Sequence, residues 1–212
     1  MIAGVVLAAG GASRFGSAKQ LAELDGMPLL QHAIDAVLAV PAVDPVVVVL
    51  GASADRVRGA VSFDGAAAPL RAARPGRDAT APLRAARPVV CDEWAEGMAA
   101  SLRCGVEAVG DADWVIVTLG DQPRVTAAVI AAVADEAASA PAGVNAVRPT
   151  YGGVPGHPVA LSRAMLRGVA ELRGDVGARD LLGSASVRTF EAGGLSDPVD
   201  VDTPEELEGL RT

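Results

Sequence analysis

The chain alternates short unbroken apolar runs with stretches whose apolar residues return every three or four positions. Ile2–Ala8 is apolar throughout and runs into glycines, the pattern of a strand buried on both faces. Leu29, Leu30, Ala33, Ile34, Val37 and Leu38 share one face of a helix. Residues 45–50 (PVVVVL) read as a second buried strand closed by Gly51, and Ala86–Val90 as a weaker third. A helix is expected over residues 96–109. Trp114–Leu119 (WVIVTL) is the clearest central strand, followed at once by Gly120 and Asp121. Val125, Val129, Ile130 and Val133 then mark a helix. Residues 144–148 and 159–161 read as later strands, 175–182 as a short helix and 186–190 as a last strand. Thr203 is expected to cap a C-terminal helix, with Pro204 in its first turn and Glu205 and Glu206 at the positive end of its dipole.

Strands alternating with helices predict a three-layer α/β/α, Rossmann-like domain, one unit over residues 1–212, on a mainly parallel mixed sheet. Ligands of such sheets bind beyond the carboxyl ends of the strands. The loop after Ala8 and the turn at Asp121 both fall there.

Composition agrees with this frame. Half of the 212 residues are hydrophobic but only 3% are aromatic, so the core is built from Ala, Val, Leu and Ile. A net charge of -8 argues against nucleic acid and against a membrane surface as partners. Cys91 and Cys104 have no metal-binding spacing and read as reduced thiols of a cytoplasmic protein. The apolar N-terminus lacks a basic flank and reads as a strand rather than a signal peptide. No stretch approaches the ~20 apolar residues of a membrane span. The octapeptide APLRAARP occurs twice, at residues 68–75 and 81–88, joined by GRDAT. A short tandem duplication lengthening a surface loop accounts for it, with residues 66–81 expected to be mobile.

The chemistry concentrates in residues 7–19, LAAGGASRFGSAK. Lys19 is the only lysine among 18 Lys and Arg residues. Where arginine supplies every other positive charge, a solitary lysine in a glycine-rich loop suggests a need for a compact point charge. Gly11 and Gly16 have the spacing of a P-loop, but Ser17 stands where its lysine belongs and Gln20 follows Lys19. The dinucleotide fingerprint fails as well, because Gly10 and Gly11 are adjacent. What remains is a Gly-rich loop whose backbone N–H groups approach phosphates while Arg14 and Lys19 offset their charge. That suits a triphosphate whose pyrophosphate departs.

LAAG followed by Arg14, Gly16 and Lys19 resembles the signature loop of the MobA/MocA-like nucleotidyltransferases. Within them the chain is similar to the molybdenum cofactor cytidylyltransferases. The likeness continues through WAEGMAASLRCGVEA (94–108), LGDQP (119–123), RPTYGGVPGHPVAL (148–161), LRGDVGARDLL (172–182) and VDVDTPEEL (199–207). GHP and GDVGAR are the narrower motifs and point to the cofactor-modifying branch. Phe15, Gly11 and the Cys91-Asp92 pair depart from the usual pattern without removing a charged position.

The resemblance implies that the terminal phosphate of molybdenum-loaded molybdopterin attacks the α-phosphorus of CTP. The product would pass to a molybdoenzyme or its maturation factor. LAAG, rather than LAGG, goes with pyrimidine use in such enzymes. Leu7, Ala8, Ala9, Gly10 and Gly11 would line the phosphates, with Gly97 and Ser101 facing the nucleotide. Asp121 and Asp202 are candidate Mg2+ ligands, since Mg2+ takes one or two carboxylates with phosphate and water completing its shell. Either aspartate could instead cap a helix. Ser101 could equally bond its own backbone. His157, Asp175 and Arg179 are candidates for the acceptor side; loop bracing by His157 and surface pairing by Arg179 are the alternatives, and His32 reads as structural. Two other activities share the resemblance: transfer to another phosphate acceptor, and NAD(P)H-dependent reduction of the nicotine blue oxidoreductase type.

Overall fold

The computed structural model describes residues 1–11, 15, 16, 18–65 and 84–211, and only the backbone of residues 179, 180 and 184. The loop expected to be mobile at 66–81 lies outside the described residues, as does Arg14.

Three central strands lie side by side: β1 (Ile2–Ala8), with a later-numbered neighbour on each flank. In chain order follow the ribbon β2 (Glu23–Leu24) and β3 (Met27–Pro28), then α1 (Leu29–Leu38), β4 (Val43–Leu50), α2 (Ala54–Ala60) and β5 (Ala86–Val90). The second half holds α3 (Met98–Val109), β6 (Trp114–Leu119), α4 (Ala127–Ala138), β7 (Ala146–Tyr151), β8 (Val154–Pro155) and β9 (Val159–Ser162). It ends with α5 (Arg163–Val169), α6 (Ala178–Leu181), β10 (Val187–Glu191) and α7 (Pro204–Gly209). The main sheet runs β10-β7-β9-β6-β1-β4-β5, with β8 on β7. Strand β9 is antiparallel to both neighbours, while β1, β4, β5 and β6 pair in parallel. This is the mainly parallel mixed sheet that the sequence implied.

Alternating residues of the central strands serve two separate cores. Val6, Val46, Val48, Leu50 and Ile116 pack with Leu30, Ile34, Val129 and Ile130 of α1 and α4. Val5, Val47, Val49, Val115 and Val117 pack on the other face with Leu102 and Val109 of α3 and with Val169 of α5. The period of two along a strand makes one apolar run serve both layers. A fully buried side chain such as Leu30 or Ile34 contributes about 2 kcal/mol.

Several boundaries differ from expectation for local reasons. The helix expected from residue 96 starts at Met98, because Gly97 has φ 111° and ψ -171°, and Trp94–Glu96 is a separate 3-10 turn. Helix α6 begins at Ala178 rather than 175 and hands over to a 3-10 turn, Leu182–Ser184. The strands expected at 45–50, 144–148 and 186–190 start at Val43, Ala146 and Val187. The end of the second repeat copy, Ala86–Pro88, belongs to β5. The Arg84 guanidinium of the same copy donates to the carbonyls of Leu38 and Val40 at 2.8 Å each, and also to Val43. His32 is structural, its ring donating to the Leu24 carbonyl at 3.0 Å. Among the described residues, no helix is long and apolar enough to cross a membrane.

Candidate active site

Strand β6 delivers Asp121 to the end of β1 through a close backbone approach. The Gly120 N–H donates to the Leu7 carbonyl at 2.9 Å, and a Cβ on Gly120 would lie 3.1 Å from Ala8 Cβ. The C-terminal segment reaches the same point. Val201 donates its N–H to the Asp121 carbonyl at 3.1 Å and buries its side chain with Leu24, Leu29 and Leu207. Helix α7 is capped by Thr203, whose hydroxyl accepts from Glu206 N, while the Glu206 carboxylate accepts from Thr203 N and Asp202 N. Helix α4 is capped by Thr126. Neither Asp121 nor Asp202 is therefore used as a cap.

Both carboxylates instead meet Lys19. Its Nζ lies 2.7 Å from Asp121 Oδ2 and 2.8 Å from Asp202 Oδ1. The Lys19 side chain is 15% exposed, against 26% for Asp121 and 47% for Asp202, so the cluster opens on its Asp202 side. Burial alone would lower the Lys19 pKa, but Asp121 and then Asp202 outweigh it and raise it above the usual lysine value. The ammonium stays charged. Asp121 Oδ1 is buried and has no hydrogen-bond partner among the described residues.

A third carboxylate completes the cluster. Asp200 accepts from the buried Gln122 amide, Nε2 to Oδ1 2.8 Å. Burial, with Asp121 and Asp202 adding to it, pushes the Asp200 carboxyl up against the opposing pull of Gln122 and Lys19. In an extended segment, positions two apart point the same way. The DVD pattern thus places Asp200 and Asp202 on one side of Val201.

The start of the glycine loop is held by Gln20. Its buried amide donates to the carbonyls of Ala8 at 2.9 Å and Gly10 at 3.0 Å. Trp94 packs beneath: a Cβ on Gly51 would lie 2.3 Å from the Ala9 carbonyl and 2.8 Å from Trp94 Cβ, and one on Gly11 3.1 Å from the Trp94 ring. Exchanging Gln20 for leucine strands two carbonyls, and an unsatisfied buried polar group costs about 1–3 kcal/mol. Gln20→Leu should lower stability by about 2 kcal/mol in urea denaturation and weaken nucleotide binding; an unchanged denaturation midpoint would show that the clamp is idle.

The opposite rim joins two distant motifs. Ala99 N–H, in the first turn of α3, donates to the Gly174 carbonyl at 3.1 Å. Arg103 of α3 donates to the Leu172 carbonyl at 2.7 Å and to Glu93 and Glu96 at 3.2 Å. Ser101 is buried in α3. Asp175 is exposed on this rim, beside Gly97, and the backbone of Arg179 belongs to α6. Cys91 and Cys104 are free; burial pushes both pKa values up, Cys104 to about 11.

His157 is partly buried, with its carbonyl accepting from Tyr151 OH at 2.7 Å. Burial, then the charge of Arg148, pushes its imidazole down to about 4, against a smaller opposing pull from Asp121. The ring is neutral near pH 7. A native pKa below the unfolded 6.5 means that the unfolded chain takes up the proton first. The contribution of His157 to stability is complete above pH 6.5 and is lost as the pH falls towards 4. His157→Asn should flatten this part of the stability curve; an identical slope in wild type and variant would contradict the assignment.

A family profile described as the MobA-like NTP transferase domain matches residues 4–189. The chain belongs to this family. It is thus a nucleotidyltransferase. No curated protein matches the chain. Among solved structures, it is similar to the homologue of Mycobacterium tuberculosis Rv0371c from Mycobacterium sp. strain JC1. The two are 30% identical with a TM-score of 0.79, over 99% of this chain and 94% of that one. Rv0371c from M. tuberculosis H37Rv in complex with manganese is 29% identical with a TM-score of 0.75, over 99% and 97%. A nucleotidyl transferase from Methanothermobacter thermautotroptrophicus is 25% identical with a TM-score of 0.73, over 100% and 96%.

In this MobA-like transferase the structure gathers Lys19, Asp121 and Asp202 at one point, and sets Leu7, Ala8, Ala9, Gly10 and Gly11 beside them at the end of β1. Gly97, Ser101 and Asp175 form a separate rim around the start of α3. Sequence reasoning missed Gln20, Gln122 and Asp200. Gln20 had no signal beyond following the loop, and Gln122 none beyond its place in LGDQP, whereas the DVD alternation could have disclosed Asp200.

Proposed function

We propose that this nucleotidyltransferase moves CMP from CTP to the terminal phosphate of molybdenum-loaded molybdopterin and releases pyrophosphate. The observation that carries the reading is the meeting of Lys19, Asp121 and Asp202 beyond β1 and β6. A phosphate oxygen of the acceptor forms the new bond to the α-phosphorus, and the bond to the β-phosphate oxygen breaks with its electrons leaving on pyrophosphate. The nucleophile is already an anion, so catalysis reduces to positioning and charge neutralisation. Lys19, with Arg14 from the same loop, would neutralise the departing pyrophosphate. The amides after Ala8 would hold the phosphates, and Gly97 and Ser101 would face the nucleoside. His157, Asp175 and Arg179 would contact the acceptor, with the neutral His157 ring offering a hydrogen bond.

The residues fit a divalent cation. Asp121 and Asp202 supply hard oxygen ligands, and Asp121 Oδ1 has no partner among the described residues. The manganese complex of Rv0371c, a similar protein, favours the same reading. We assign Asp121 and Asp202 as Mg2+ ligands; the bound ion would offset charge on the triphosphate. Residues 1–212 would act as one domain in the cytoplasm, handing product to a molybdoenzyme or its maturation factor.

Thermal shift of the purified protein separates this reading from its rivals. Mg-CTP should stabilise the protein more than Mg-GTP, and NADPH should leave it unchanged. A response to NADPH with none to CTP would replace the transferase reading by the oxidoreductase one.

A further inference from the structure

The Lys19 ammonium is a direct partner of both candidate metal ligands, which gives it a second role. We propose that Lys19 competes with the divalent cation for Asp121 and Asp202, and that a nucleoside triphosphate, by drawing the ammonium away, opens this carboxylate pair to the metal. The inference rests on the metal role proposed for the two aspartates.

Three features point this way. First, Asp121 Oδ2 and Asp202 Oδ1 both converge on one nitrogen, so a cation bridging the same oxygens meets the ammonium head-on. Two cations sharing these oxygens repel each other, whereas the two carboxylates hold one of them strongly. Second, the ammonium has somewhere to go. Lys19 opens a 3-10 turn at the end of the glycine loop, and its four-carbon stem lets the charge swing towards phosphates bound there. Third, the chain uses arginine for every other basic residue but lysine here. A guanidinium would grip a carboxylate through two parallel hydrogen bonds, while an ammonium is a point charge that a stronger cation displaces more readily.

The consequence is coupling between ligands. If the triphosphate removes a competitor of the metal, each ligand must strengthen the other by the same factor. The bare protein would then bind metal weakly and load it together with the nucleotide.

Mn2+ binding to the nucleotide-free protein, followed by the paramagnetic resonance of free Mn2+, tests the competition. Lys19→Met should bind Mn2+ about tenfold more tightly than wild type, and Lys19→Arg more weakly. Equal or weaker binding by Lys19→Met overturns the inference. Asp121→Asn is the control for the underlying reading: if it leaves Mn2+ binding unchanged in both backgrounds, the carboxylate site itself fails. A measurement without substitution is available because Lys19 is the sole lysine. Protein labelled with 13C-lysine gives one side-chain ε signal. Mg2+ should move that signal with the same midpoint as metal binding, and a signal that stays fixed while the metal binds would contradict competition.

Discussion

Lys19→Ala should turn over CTP about a hundredfold more slowly than wild type, a loss of about 3 kcal/mol in transition-state stabilisation. The ammonium is the charged group placed beside both carboxylates, and it is held protonated by them. Pyrophosphate gains charge as it departs, so removing the cation that would face it acts on the transition state more than on substrate binding. The defect should therefore appear in kcat as well as in kcat/KM. Lys19→Arg should recover little of it, since a planar guanidinium cannot reproduce the point charge in the same space. The fold should survive, because Asp121 and Asp202 are partly exposed and the repulsion between them is screened by water. Steady-state kinetics with a melting curve for each variant check this; near-wild-type turnover in Lys19→Ala removes Lys19 from the catalytic machinery.

The second large effect concerns Gly97 and is one of stability. Its backbone, at φ 111° and ψ -171°, lies in a region open essentially to glycine alone. A Cβ there would lie 2.6 Å from the backbone carbonyl of Gly174 and 2.8 Å from Asp175 N, where no flexible side chain can give way. Gly97→Ala should cost about 3 kcal/mol or more, as strain and overpacking combine. Gly110→Ala is the matched control. It also has a positive φ, 70°, but nothing lies within 4 Å of the added methyl, so only the backbone strain, about 1–2 kcal/mol, is expected. Equal losses for the two variants in urea denaturation would show that the contact between the α3 start and Gly174 contributes nothing. Because the same contact places Ser101 and Asp175, the Gly97 variant should also bind nucleotide more weakly.

What could be read from the chain divides along physical lines. Strands β1, β4 and β6 are buried on both faces, so their apolar runs carry a complete local signal, and their bounds came close. The α7 cap was equally legible, because Thr203 and Glu206 act on each other within one turn. Short helices such as α2 and α5 escaped notice, since seven residues rarely show a period and such helices depend on tertiary packing. The late start of α3 reflects a single glycine whose conformation is set by a segment far along the chain. The candidate site shows the same division. A solitary lysine could be singled out by composition, but its partners lie 102 and 183 residues away, a pairing only the topology creates. The topology also removed the capping alternative for Asp121 and Asp202, by giving the caps to Thr126 and Thr203. Gln20 was invisible for a similar reason: its amide serves carbonyls of the strand end that precedes the loop.

The central claim is transfer of a cytidylyl group, and following the α-phosphate tests it most directly. Protein, Mg2+, CTP labelled at the α-phosphorus and molybdenum-loaded molybdopterin should yield label on the pterin phosphate and one pyrophosphate for each label transferred. Label from GTP should not transfer at a comparable rate. Unlabelled pterin alongside bound, unreacted CTP, or transfer from GTP in preference to CTP, would contradict the account.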